Sequence, residues 1–145
     1  MSAFALCHHL DHVFIGAARD HKRLLAGDLG PNTGGMGCIS LMNEISEADI
    51  KEINQSVFSP ILEEMYKRGV PFEGFLFAGL MQTEIGYKVL EFNVRLGDPE
   101  TQVLLPQMED DFLPWVLGCA MGLLPKESPK YKKMTALHYV LASKG

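Results

Sequence analysis

Apolar and polar residues alternate with a period of two between Lys88 and Val94, which is the pattern of a β-strand. Leu90, Phe92 and Val94 share one face of that strand and are expected to enter a core, while Glu91, Asn93 and Arg95 line the other. Gly97-Asp98-Pro99 ends it, because proline donates nothing to a ladder and Gly-Asp favours a turn. Upstream, Gly74 to Met81 is continuously apolar, as in a strand covered on both sides. The polar link from Gln82 to Gly86 joins the two into an expected antiparallel hairpin. A second hairpin is expected at the start, where residues 1–7 and Val13-Phe14-Ile15 flank His8-His9-Leu10-Asp11-His12. A polar turn accounts for those histidines more simply than a metal site does.

Ser46-Glu47-Ala48-Asp49 fits a capping box, and Ile50, Ile53, Val57, Ile61, Leu62 and Met65 follow at helical spacing. Pro60 predicts a kink or short break in that helix, and Gly69 with Pro71 its stop. Asp110 or Asp111 is positioned to cap a further helix whose buried stripe is Phe112, Trp115, Val116, Cys119 and Leu123, with Trp115 and Met121 assigned to the core. Residues 135–141 read as one more strand without a visible partner, and His138 as a packing residue. The segment from Ala17 to Gly37 is different: five glycines fall within eleven residues, together with Pro31 and Asn32. It reads as a long shaped loop, neither helix nor strand. Arg19, Lys22 and Arg23 precede it, and Gly34-Gly35 offers free N–H groups, so an anion nest and a solvated surface loop fit it equally well.

Composition narrows the function. Eighteen acidic against thirteen basic side chains leave a net charge of −5, without the broad positive field that nucleic acid requires. No apolar run reaches membrane-spanning length and no signal-type segment opens the chain, so a cytoplasmic protein is expected. Cys7, Cys38 and Cys119 are odd in number and lack Cys-x-x-Cys spacing, as buried, reduced thiols would be. Glu91 and Asn93, about 6–7 Å apart along a strand, present two hard oxygen donors of the kind Mg²⁺ accepts when shared with phosphates. Arg95 adds a guanidinium for a carboxylate or phosphate. Taken alone, the triplet is more simply the wet face of an edge strand.

Two stretches together change that balance. Asp20-His21-Lys22-Arg23 followed by Gly30-Pro31-Asn32-Thr33-Gly34-Gly35-Met36-Gly37, and Leu90-Glu91-Phe92-Asn93-Val94-Arg95 followed by Gly97-Asp98-Pro99-Glu100-Thr101-Gln102, resemble glycinamide ribonucleotide synthetase. This is the phosphoribosylamine–glycine ligase family of purine synthesis, an ATP-grasp enzyme. The resemblance implies an α+β fold, the ATP-grasp central domain, with a mainly antiparallel sheet and helices packed on one face. It implies ATP as cofactor, with Mg²⁺ or Mn²⁺ held by Glu91 and Asn93. Arg95 and Lys22 would be catalytic, Arg95 orienting the glycine carboxylate or acyl phosphate and Lys22 meeting a transferring phosphate or acyl oxygen. Asp20, Lys22, Gly34, Gly35, Arg95, Gly97 and Asp98 would line the substrate site. The substrates implied are glycine, phosphoribosylamine and ATP, joined through glycyl phosphate.

Members of the family are roughly three times longer, with an N-terminal domain and a lid that have no counterpart here. Residues 1–124 are accordingly expected to be the core of the ATP-grasp domain, and 125–145 a connector with the first strand of a further domain. Such a piece is expected to be catalytically incomplete alone and to associate through surfaces where other domains dock. Leu96 and Cys38 stand where the family pattern has Phe and Ala. The competing readings are another ATP-grasp carboxylate–amine ligase or carboxylase, and a non-catalytic metal- or partner-binding module.

Overall fold

The computed structural model describes residues 1–143. Among them six strands form one sheet: β1 (Ser2–His8), β2 (Asp11–Leu25), β3 (Leu29–Ser40), β4 (Glu73–Thr83), β5 (Gly86–Asn93) and β6 (Leu137–Tyr139), in the order β5-β4-β1-β2-β3-β6, with every pairing antiparallel. Both expected hairpins are present. β1 runs through the middle, buried from Ser2 to Cys7.

Alternation along β1 divides the core. Ala3, Ala5 and Cys7 face α1 (Glu47–Ile53) and α2 (Ser59–Lys67), whose Ile53 and Leu62, with Phe58 from the turn between them, complete one cluster with Leu76, Ala78 and Leu80. Phe4 and Leu6 face the other way, toward Val103 and Leu104 of α3 (Thr101–Leu104) and Cys119 of α4 (Leu113–Met121). The helical layer expected on one face is α1–α2. The opposite face carries α3 and α4 as well.

The capping box forms as expected: the Ser46 hydroxyl accepts from the Asp49 N–H at 3.1 Å, and the Asp49 carboxylate accepts from the Ser46 N–H at 3.1 Å. The break expected near Pro60 is a π-turn at Asn54–Phe58, closed by the Ser59 N–H on the Asn54 carbonyl. A proline ring crowds the carbonyl four residues back, here Ser56, and the widened turn lets the helix continue past it. Gly69 stops α2 with a left-handed φ of 75°.

Four expectations fail. The segment 17–37 is not a loop: β2 runs to Leu25, turns through Ala26–Asp28, and β3 begins at Leu29. Its glycines interrupt the ladder without abolishing it, since pairing slips between His21 and Leu25 and Thr33–Met36 stand outside the register. Leu90, Phe92 and Val94 enter no core; Leu90 and Val94 are 65% and 72% exposed. β5 is an edge strand that α1 meets near its start, where the Tyr87 hydroxyl donates to Asp49 Oδ1 at 2.9 Å, and a bulge at Leu90 shifts its register so that Val89 faces Leu80 while Glu91 faces Gly79. In α4, Phe112, Trp115 and Cys119 pack inward, but Met121 and Leu123 are solvent-exposed because the helix ends at Gly122 in a left-handed turn. Finally, residues 137–139 do have a partner, pairing with Gly37–Ile39 of β3.

Candidate active site

A single row crosses the sheet near the start of β1: Glu91 opposite Gly79, Gly79 opposite Ser2, Ser2 opposite Ala18, and Ala18 opposite Ser40. Between Glu91 and the β2–β3 edge it carries only small side chains, which leaves a trough on the face shared with α3. A Cβ at Gly79 would stand 3.1 Å from Glu91 Cγ, so glycine lets the Glu91 side chain lie close over the sheet. Glu100 fills part of the trough. Its carboxylate is buried, accepts from the Ser2 hydroxyl at 2.7 Å and folds back onto Gly97, where any side chain would collide with it.

β2 continues beyond Ser2, so Asp20 and Lys22, on the same face as Ala18, overhang the open end of the trough. Lys22 Nζ lies 3.8 Å from Asp20 Oδ2 and 3.8 Å from Glu91 Oε1, so one cation spans the two strands. The Asp20 side chain is only 6% exposed and its Oδ1 is buried without a hydrogen-bond partner. Burial first, then the neighbouring Glu100 carboxylate, pushes its pKa upward, against the pull of Lys22.

The glycine-rich part of β3 closes over this end. The Thr33 hydroxyl donates to the Lys22 carbonyl at 2.9 Å and accepts from the Gly35 N–H at 3.0 Å, which turns Gly35 inward at φ 136°. A Cβ on Gly35 would stand 2.6 Å from Pro99 Cδ and 2.9 Å from Asp20 Oδ1. Only glycine lets these two chain segments approach so closely. Gly97, Asp98 and Pro99 form the turn it meets, tied to α3 by the Gln102 amide donating to Asp98 Oδ1 at 2.6 Å.

The nine residues singled out in the sequence are thus gathered at one end of the sheet, though not as one cluster. Asp20, Lys22 and Glu91 meet directly, and Asn93, opposite Phe77, follows Glu91 on the same face. Gly34, Gly35, Arg95 and Asp98 line an adjoining cleft of about 910 Å³ with His138–Leu141, a volume in the small-molecule range. Arg95 departs from the expected ladder: β5 ends at Asn93, and the guanidinium, in the bend beyond, donates to the Leu96 carbonyl at 3.0 Å. Glu100, Ser2 and Gly79 were not singled out. Glu100 was visible as a carboxylate between Pro99 and an apolar run, whereas nothing local marks Ser2 or Gly79.

The family model for the phosphoribosylglycinamide synthetase ATP-grasp (A) domain matches residues 1–101. The chain belongs to that family. It is 43% identical over 145 residues to a phosphoribosylamine–glycine ligase of Caulobacter vibrioides, covering 99% of this chain and 34% of that protein. It is 50% identical over 131 residues to one from Listeria monocytogenes, covering 88% and 30%. The crystal structure of the Thermotoga maritima phosphoribosylamine–glycine ligase superposes with a TM-score of 0.88 at 39% identity, over 99% of this chain and 36% of that one. The chain therefore spans about a third of the length of these relatives. Cys38 and Leu96, the two positions expected to depart from the family pattern, are both packing residues. Cys38 is a buried thiol pushed up to about 12 by burial, and Leu96 packs against the same core cluster.

Proposed function

We propose that this chain supplies the metal- and phosphate-binding part of an ATP-dependent ligase that joins glycine to phosphoribosylamine through glycyl phosphate. The convergence of Asp20, Lys22 and Glu91 beneath the Gly34-Gly35 turn carries the reading, because it sets hard oxygen donors and a lysine cation around one trough. Glu91 and Asn93 suit a divalent metal: both are oxygen donors on one face, Glu91 is half-exposed, and its present partner is a lysine charge at 3.8 Å. They are the residues to hold Mg²⁺ or Mn²⁺, which would neutralise charge on the ATP phosphates. Lys22 would meet a transferring phosphoryl oxygen, and Arg95, at the mouth of the neighbouring cleft, would hold the carboxylate of the amino acid in a bidentate grip. The buried, partnerless Oδ1 of Asp20 offers an acceptor to a donor on the substrate. Glu100 and the Asp98–Gln102 bond keep the Gly97 turn in place beneath these groups.

On this reading residues 1–124 are the core of the ATP-grasp domain and 125–145 lead out of it; Lys144 and Gly145 lie outside the described residues. Its partners are glycine, phosphoribosylamine and ATP, with neither nucleic acid nor membrane. No helix among the described residues is long and apolar enough to cross a bilayer, and three free, buried cysteines suit the reducing cytoplasm.

The test is a chimera in which this segment replaces the matching third of the Caulobacter ligase, assayed for glycine-dependent ADP formation with phosphoribosylamine. The isolated chain should bind Mg-ATP weakly and turn nothing over. The chimera should be active, and Glu91→Ala within it should lower kcat at least about 100-fold. A folded but inactive chimera, or activity indifferent to Glu91, would overturn the assignment.

A further inference from the structure

The three histidines of the first hairpin separate in the fold. His12 turns toward Asn54 and Phe58, and its burial lowers its pKa. His8 and His9 instead meet Glu73, which faces His8 across the ladder at the start of β4. His9 Nε2 lies 2.8 Å from Glu73 Oε1, and His8 Nδ1 lies 3.9 Å from the same oxygen. One ligand atom from each of the three lies within 4.8 Å of the others. His9 holds a left-handed conformation, φ 56°, with its N–H donated to the Phe72 carbonyl at 2.8 Å, so the turn itself sets the direction of its ring.

We propose that His8, His9 and Glu73 bind a divalent transition cation of the zinc class. Two imidazoles and a carboxylate form a donor set suited to Zn²⁺, Co²⁺ or Ni²⁺, whereas Mg²⁺ and Ca²⁺ prefer oxygen alone. Bonds of about 2.0–2.1 Å in a tetrahedral site put ligand atoms roughly 3.3–3.5 Å apart. The His9 Nε2–Glu73 Oε1 separation of 2.8 Å and the 4.8 Å span of the three ligand atoms lie on either side of that spacing, so side-chain adjustment suffices. His9 and Glu73 are 42% and 52% exposed, which gives them that freedom and leaves a coordination position open to water. The Cys119 carbonyl, 2.9 Å from His8 Nδ1, selects the nitrogen: a proton shared there leaves the lone pair on Nε2, as when a backbone acceptor steadies a ligating imidazole. Gly122 keeps that nitrogen accessible, since a Cβ there would stand 2.8 Å from it. The site lies at the far end of β1 from Ser2, about 20 Å from the trough by strand rise, so it is separate from the proposed nucleotide site. Its effect is to fasten the β1–β2 turn to the start of β4, and a cation that binds only the folded chain stabilises it.

The experiment titrates the intact chain with Zn²⁺ and Co²⁺, following thermal unfolding and visible absorption. Micromolar Zn²⁺ should raise the melting temperature, and Co²⁺ should give ligand-field bands without a thiolate charge-transfer band. His9→Ala and Glu73→Gln should each weaken binding at least about tenfold, while His21→Ala, exposed on β2, should not. Circular dichroism of the metal-free variants checks that they are folded. The proposal is overturned by the absence of any Zn²⁺-dependent shift, by a thiolate band, by an equal loss in His21→Ala, or by millimolar Mg²⁺ competing for the site.

Discussion

Asp20 keeps a nearly buried carboxylate with one oxygen unbonded, and this has opposite consequences for stability and for binding. Because its folded pKa is raised, ionisation is penalised in the native state. The penalty is absent below the unfolded aspartate range, grows as pH rises through it, and is complete above the folded pKa. Asp20→Asn should therefore melt a few degrees higher than the parent at neutral pH, on the order of 1 kcal/mol, with the gain fading toward pH 3, while ATP-dependent ligation in the chimera falls. Gly35→Ala tests the closure of β3 on Pro99. A methyl placed 2.6 Å from Pro99 Cδ at φ 136° should cost about 1–3 kcal/mol, read as a lower urea midpoint. At this scale the sequence offers candidate side chains and hides how they meet. Asp20, Lys22 and Glu91 stand out by type, but the contact of Lys22 with both depends on β2 outrunning β1, which no local pattern encodes.

Elements with a strong local signal were the legible ones. The Ser46–Asp49 box starts α1 where expected, and Ser46→Ala should cost about 1 kcal/mol at neutral pH, measured by chemical denaturation. Hydrogen bonds from Ser46 and then Tyr87 hold the Asp49 carboxyl below its usual range. The stability this adds is present above the unfolded aspartate pKa and lost as pH falls through the folded one, so the cost of Ser46→Ala should shrink in acid. β3 was illegible for the converse reason. Glycine lowers strand propensity, and pairing with β2 and β6 overrides that local preference. The apolar side of β5 misled in another way: alternation reports which residues share a face, not whether anything covers that face, and a one-residue bulge is invisible in it.

In the whole molecule the exposed Leu90 and Val94 leave an apolar strip along the β5 edge, on a strand with no further strand paired to its outer side among the described residues. The isolated chain should self-associate at tens of micromolar, and Leu90→Lys with Val94→Lys should shift its sedimentation toward monomer without lowering the melting temperature. The family was legible at this scale because two separated motifs occur in the right order; their convergence across β2, β3 and β5 is what folding adds. The strand order has a further consequence during synthesis. Of the described strands the first to be made, β1, lies innermost in the sheet: its partner on one side, β2, follows within a few residues, while the other, β4, which begins at Glu73, arrives only after α1 and α2. Until then the nascent polypeptide carries a bare, water-averse β-ribbon, which makes β4 the point in translation where this protein passes from needing protection to protecting itself.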